Sequence, residues 1–223
     1  AGNIGRMAEP ERFALMSKAG LPMTPCLAVA SPDSAAVAAA RLGYPVVMKG
    51  TAPSLLHKTE MNLIRLALAD ERAVRTAYGS VKAALDWHAG GDPAAAVILQ
   101  PMVGPGVELI LGVRNDAKFG SIIVAGLGGT LVEILREASV RIGPVDEAEA
   151  RAMLAETKAG VILGGVRGRG PFDLDAAARA IAALSRFGAA NRDRLASVEI
   201  NPLIVLEHGK GAVGVDVLFE PLA

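Results

Sequence analysis

Apolar and polar positions fall along the chain in blocks that switch between helical spacing and short strand-like runs. Glu9–Lys18 reads as a helix, with Pro10 near its start and Gly20 just past its end. Leu27–Ala30 is a short apolar run, after which Ser31-Pro32-Asp33 opens an alanine-rich helix stopped by Gly43. Val46–Lys49 has the continuous apolar character of a buried strand and ends on a charge. Residues 50–61 read as a polar loop, Leu63–Leu68 as a strand and Glu71–Asp86 as a helix, before Gly90-Gly91-Asp92-Pro93 breaks the chain. Strands then crowd together at Ala96–Met102, Val107–Arg114, Phe119–Ala125 and Leu131–Leu135. Helices are predicted at Glu147–Ala159 and Leu174–Ala190, and the chain closes with strands at Val198–Leu206 and Ala212–Phe219 around a turn at Glu207–Lys210. Strands in runs, then helices, then a hairpin fit a mixed α+β (α/β) architecture in two lobes, residues 1–92 and 93–223.

The closing hairpin permits a geometric argument. A turn centred between His208 and Gly209 pairs residues whose numbers total 417, which sets Asn201 opposite Asp216. Side chains alternate faces along a strand, so Glu199 shares their face two positions away. Two carboxylates and an amide oxygen on one patch suit a hard divalent cation such as Mg2+ or Mn2+. The same spacing also fits Asn201 capping a turn before Pro202, with Asp216 merely exposed. A shift of the turn by one residue would move the pair off one face. Pro202 cannot donate to a ladder, which predicts an unpaired strand side near it.

Composition narrows the function classes. The chain has 223 residues, 52% hydrophobic and 21% charged, which excludes disorder. Lys+Arg 23 balances Asp+Glu 23, and aromatics are 4%, so generic nucleic-acid binding lacks its charge and stacking footprint. One cysteine, Cys26, excludes an internal disulfide framework and a cysteine zinc cluster, and points to a reducing compartment. A mean hydropathy of +0.38 calls for a membrane check. The longest tempting stretch, Phe119–Val132, falls short of the roughly 20 residues of a spanning helix and contains four glycines. A soluble, cytoplasmic protein is expected. The chain shows no signal-peptide pattern and does not begin with Met, as a domain cut from a longer polypeptide would not.

Several residues invite chemistry. Lys49 ends a buried-type strand, and a buried ammonium needs an anionic partner such as a nucleotide phosphate, unless it snorkels to the surface. His57, in His57-Lys58-Thr59, could accept a phosphoryl group or act as a base, or simply be solvated. Gly126-Leu127-Gly128-Gly129 could aim backbone N–H groups at an anion. The segment Gly164–Gly170 adds the guanidinium groups of Arg167 and Arg169 to such a loop. Neither the dinucleotide fingerprint nor the P-loop pattern occurs.

Taken together these pieces resemble one family. Gly43-Tyr44-Pro45-Val46-Val47-Met48-Lys49, His57-Lys58-Thr59, Gln100-Pro101-Met102-Val103, Gly106-Val107-Glu108 and Phe119-Gly120 occur in the family's order and spacing. So do Gly126-Leu127-Gly128-Gly129 with Glu133, Arg167-Gly168, and Glu199-Ile200-Asn201-Pro202-Leu203 with Asp216. The chain resembles, over roughly residues 8–220, the ATP-grasp domain (β-subunit type) of NDP-forming acyl-CoA synthetases such as ADP-forming acetyl-CoA synthetase. Succinyl-CoA synthetase β subunits are more distant relatives.

The resemblance implies an ATP-grasp fold with nucleotide in a cleft between two lobes, and a ligase that interconverts acyl-CoA, ADP and phosphate with free acid, CoA and ATP. By that match Lys49 would hold nucleotide phosphates, and Gln100, Pro101, Met102 and Val103 would form the hinge facing adenine. Glu108 would contact nucleotide, and Asn201 and Asp216 would hold Mg2+, with Glu199 on the same patch. His57 matches a phosphoryl relay. The cofactors implied are ATP/ADP and Mg2+. The implied partner is a CoA-binding/ligase domain or α subunit carrying a phosphohistidine, in an oligomeric full enzyme with no role for nucleic acid or membrane. Where the family usually has two glycines after the His-Lys-Thr segment, in a loop that closes over phosphates, this chain has Asn62 and Leu63. Asn tolerates a left-handed backbone but Leu resists it, so weakened phosphate contact is expected there. Two other readings are a non-catalytic ATP-grasp module of a fused protein acetyltransferase and an ATP-grasp carboxylate–amine ligase. The second needs no phosphohistidine, so His57→Ala separates it from a synthetase.

Overall fold

The computed structural model describes residues 4, 7–53, 55, 61–129, 137–166 and 170–222. The elements in chain order are α1 (Glu9–Lys18), β1 (Leu27–Val29), α2 (Pro32–Leu42), β2 (Val46–Thr51), β3 (Ile64–Leu68), α3 (Glu71–Ala89), β4 (Ala96–Pro101), β5 (Val107–Asp116), β6 (Gly120–Leu127), β7 (Ala138–Ile142), α4 (Glu147–Ala155), α5 (Lys158–Leu163), α6 (Leu174–Ala190), β8 (Leu195–Val205), β9 (Ala212–Gly214) and β10 (Val217–Pro221). They form two compact units, Ala1–Ala14 with Thr24–Val103, and Leu15–Met23 with Gly104–Ala223. The break at Gly90–Pro93 is therefore not the boundary placed at 92/93. It is the turn that leads into β4, which pairs with β1 and β2 and so belongs to the first unit's sheet.

The first unit is a four-stranded antiparallel sheet in the order β1-β4-β2-β3, packed against α2 and α3. Ser31 caps α2 in a reciprocal box with Ser34, Pro32 occupies its first turn and Gly43 follows its end. Asp70 caps α3, accepting from the Ala73 N–H at 2.8 Å. One sheet face carries Val46, Met48, Val97 and Leu99, which pack with Val74, Tyr78, Val81 and Leu85 of α3. The opposite face carries Val47, Lys49 and Thr51 from β2 and Ile98 and Gln100 from β4, following the strand alternation.

The second unit is a six-stranded antiparallel sheet, β10-β8-β5-β6-β7, with β9 pairing β8 beyond β10. Its inner face, with Leu109, Leu111, Val113, Ile123, Val198 and Ile200 buried, meets the helices, chiefly α6. The stretch read as one helix over Glu147–Ala159 is two, because the chain leaves helical geometry at Glu156–Thr157 before α5 begins. Strand β7 was not anticipated, and the strand expected at Leu131–Leu135 lies outside the described residues. The final stretch also divides, into β9 and β10, but one register runs through both. Leu203 faces Gly214, Ile204 faces Val213, Ile200 faces Val217 and Glu199 faces Leu218, each pair totalling 417. Strand β8 is paired on both sides, but its ladder to β5 skips Asn201 and Pro202, so the unpaired side expected near Pro202 is a local gap and not a free edge. The β8 register against β5 shifts between Leu109 and Leu111, opposite Asn201-Pro202, and the missing donor is absorbed by that bulge.

Candidate functional site

In the first unit, polar side chains gather on the sheet face opposite the helices. Lys49 is 6% exposed, pairs across to Ile98 and Ile64, and has Thr51 and Gln100 on its own face. The Thr51 hydroxyl donates to the Glu9 carboxylate, and both residues are buried. Gln100 is 2% exposed, and its Nε2 has no hydrogen-bond partner among the described residues. A buried amide donor left without an acceptor costs about 1–3 kcal/mol, so this one can take an acceptor that a ligand brings. Beyond Gln100, Pro101 and Val103 are half-buried and Met102 is exposed, while the Met102 N–H donates to the Pro45 carbonyl at 3.0 Å.

The loop where the family places two glycines resolves differently from expectation. Asn62 adopts the left-handed backbone with φ of 56°, and Leu63 does not need to. Leu63 is fully buried in the core, its carbonyl accepts from the Gly50 N–H at 2.7 Å, and its Cδ2 sits 2.8 Å from where a Cβ on Gly50 would be. Asn62 thus turns the chain and Leu63 anchors β3 to β2.

In the second unit, the hairpin brings Glu199, Asn201 and Asp216 together. The Asn201 N–H donates to the Asp216 carbonyl at 3.3 Å, and its side-chain Nδ2 donates to Glu199 Oε1, also at 3.3 Å. All three are half-buried between the buried Ile200 and Val217. Burial pushes the Glu199 carboxyl above its ordinary range; the Asn201 hydrogen bond opposes this and the negative charge of Asp216 adds to it. Among the described residues no group of three or more His, Cys, Asp and Glu side chains could hold a metal, so a cation here would rest on two carboxylates completed by the Asn201 amide oxygen. That donor set fits Mg2+: hard oxygens only, few enough to leave coordination positions for water and phosphate. The like-charge crowding of Glu199 and Asp216 is what a cation would relieve.

Glu108 is exposed on β5, its carbonyl accepting from the Gly128 N–H at 2.8 Å. Its carboxylate lies over Gly129, whose φ is 63° and on which any Cβ would strike Glu108 Oε2. The Gly126–Gly129 segment thus lets a carboxylate lie across its backbone. The candidate relay His57, with Glu133, Arg167 and Arg169, lies outside the described residues. The sequence reading overlooked Glu9 and Thr51 beside Lys49. Glu9 looked like an ordinary acidic residue in a first helical turn, and only the strand phase of Thr51 pointed to this face.

A family model described as an ATP-grasp domain matches residues 2–220. The β subunit of ADP-forming acetate–CoA ligase II from Pyrococcus furiosus is 33% identical over 210 residues, covering 94% of this chain and 89% of that subunit. The ADP-forming acetate–CoA ligase I of Archaeoglobus fulgidus is 32% identical over 209 residues, covering 94% of this chain but 30% of that protein. Among solved structures, the dinucleotide-forming acetyl-coenzyme A synthetase 1 of Ca. Korarchaeum cryptofilum, in complex with coenzyme A, Ca-AMPCP and HgCl+, superposes with a TM-score of 0.89 at 30% identity over 97% of this chain and 93% of that chain. The same synthetase with coenzyme A and Mg-AMPPCP, its phosphohistidine segment pointing towards the nucleotide binding site, gives a TM-score of 0.82 at 30% identity, over 97% of this chain and 92% of that chain. Antiparallel sheets with this strand order, and likeness along nearly the full length, agree: the chain belongs to the ATP-grasp domains of the β-subunit type found in ADP-forming acyl-CoA synthetases.

Proposed function

We propose that this chain is the nucleotide-binding, phosphoryl-transferring part of an acyl-CoA synthetase that interconverts acyl-CoA, ADP and phosphate with acid, CoA and ATP. It acts with a CoA-binding partner, as a separate subunit or a fused domain, in the cytoplasm. The observation that carries the reading is the hairpin cluster, where two carboxylates and an amide crowd one half-buried patch. Lys49 holds nucleotide phosphate oxygens; its burial keeps the ammonium from being fully hydrated, which strengthens its attraction to phosphate. Gln100 offers its spare Nε2 donors to the adenine, with Pro101, Met102 and Val103 beside the ring. Glu108 contacts the nucleotide. Asn201 and Asp216, with Glu199, hold Mg2+, which when bound neutralises phosphate charge. His57 takes up and passes on the phosphoryl group that a phosphohistidine of the partner brings. Phosphoryl transfer asks chiefly for positioning and charge neutralisation, and fixed groups on two sheets supply both.

The test is thermal stability with and without Mg·ADP, repeated on Lys49→Ala and Asp216→Ala. Nucleotide at about 100 times Kd stabilises by ~2.7 kcal/mol, or roughly 5–10 °C for a chain of this size. The shift is expected in the wild type and lost in both variants. A wild-type chain that shows no shift at millimolar nucleotide, or variants that keep it, would overturn the assignment.

A further inference from the structure

Asp173 is 6% exposed and accepts three backbone hydrogen bonds from two elements. Its Oδ1 takes the Ala176 N–H at 3.0 Å, capping α6, while its Oδ2 takes the Gly209 and Gly211 N–H groups at 3.1 and 2.9 Å. The strand-like segment it sits in adds more. The Asp173 N–H donates to the Leu206 carbonyl at 2.9 Å, Phe172 bridges Glu207, and the His208 N–H donates to the Pro171 carbonyl at 3.0 Å. The turn between β8 and β9 is thus strapped down by residues 171–173 and clasped by one carboxylate.

The clasp reads the turn's register. Gly209 and Gly211 both have left-handed backbones, φ of 79° and 83°, and both aim their N–H groups at the same oxygen. A slip of one residue would put side-chain-bearing His208 or Lys210 into those conformations and strip the carboxylate of its donors. The same register sets Asn201 across from Asp216, and a one-residue slip would turn one of them to the opposite face. We infer that Asp173 is a positioning residue for the metal-binding patch, holding Glu199, Asn201 and Asp216 on one face by fixing the turn five residues away along the hairpin. This rests on the assignment of that patch to Mg2+ made above.

The decisive variant is Asp173→Asn. Asparagine caps helices as well as aspartate does, so the Ala176 bond and α6 survive. With its oxygen on the Ala176 N–H, however, its Nδ2 replaces the carboxylate oxygen facing Gly209 and Gly211 and, being a donor, accepts from neither. Asp173→Ala removes cap and clasp together, and Asp146→Ala, which strips the cap of α4 (2.8 Å to the Glu149 N–H) and leaves the Gly209 and Gly211 bonds in place, is the control. ADP affinity is measured by calorimetry for the whole chain with Mg2+ and with a chelator, and amide hydrogen exchange is followed at Asn201 and Val215. The expected result for Asp173→Asn is a loss of about tenfold or more in the gain that Mg2+ confers, as supporting partners of metal ligands typically show. Metal-free ADP affinity stays unchanged and exchange at Asn201 quickens. Asp146→Ala changes neither. A full Mg2+ gain in Asp173→Asn, or an equal loss in Asp146→Ala, overturns the proposal. A wild-type chain that binds ADP equally with and without Mg2+ defeats the metal assignment itself, and this inference with it.

Discussion

At the scale of single residues, three side chains make separable predictions. Gln100 buries an amide donor with no partner among the described residues. Gln100→Met keeps the length and removes the orphan donor. It should stabilise the free chain by about 1 kcal/mol in chemical denaturation while weakening ADP about tenfold. Gly129→Ala should match Glu108→Ala in its loss of nucleotide affinity, because a methyl group there displaces the Glu108 carboxylate. Asp173 titrates against a background of burial, which pushes its pKa up. The N–H groups of Ala176 and Gly211, the charge of Arg179 and the N–H of Gly209 outweigh burial and hold it below the ordinary 3.8. A depressed carboxyl stabilises the fold above its unfolded pKa and loses that contribution as pH falls through the folded value. The stability gap between wild type and Asp173→Asn should therefore be full at neutral pH and close below about pH 4, which urea unfolding across pH would show. The sequence disclosed Lys49 and the hairpin triad because strand phase and turn arithmetic are local. It was silent on Asp173, whose partners Gly209 and Gly211 lie 36 and 38 residues on.

At the scale of elements, the pairing of β2 with β3 shows how a departure from the family's glycines is accommodated. Leu63 fills the space above Gly50, so the two positions are coupled. Leu63→Ala should cost about 2–5 kcal/mol as a large-to-small change in a closed core. Gly50→Ala should cost about 1–3 kcal/mol by overpacking against Leu63 Cδ2. The double variant should cost less than the two together by about 0.5–3 kcal/mol, since the shortened side chain no longer meets the added methyl group. Additive losses in denaturant titrations would show the contact to be relaxed in solution. Helices α1 and α2 were legible because Pro10 and Gly20, and Ser31 and Gly43, bound them, and α6 because its alanine-rich apolar stretch is long. The α4–α5 break was not, because Glu156 and Thr157 interrupt the helix without proline or glycine, through a backbone change that Thr157 N-caps. Strand β7 escaped notice because four of its five positions are exposed or half-buried with mixed side chains, and only its ladder to β6 makes it a strand.

At the scale of the whole molecule, the two units carry different halves of the proposed chemistry. The first bears the buried ammonium and an amide donor without a partner among the described residues, proposed to meet phosphate and base, and the second bears the acidic patch proposed to take a cation. The chain spans 89% of a relative that is itself named a β subunit and 30% of another whose name carries no subunit. If nucleotide binding and acyl chemistry are divided as those proportions suggest, their measurements should separate. The chain alone should show the Mg·ADP-dependent thermal shift, yet form no acyl-CoA from acid, CoA and ATP. Adding a CoA-binding partner should restore turnover without changing the affinity for ADP by more than a few-fold, because every residue proposed to hold nucleotide belongs to this chain. His57→Ala should then abolish turnover in the reconstituted enzyme and leave the thermal shift intact. Loss of both together would mean that His57 holds nucleotide rather than passing a phosphoryl group, and turnover surviving in the variant would remove the relay from the mechanism.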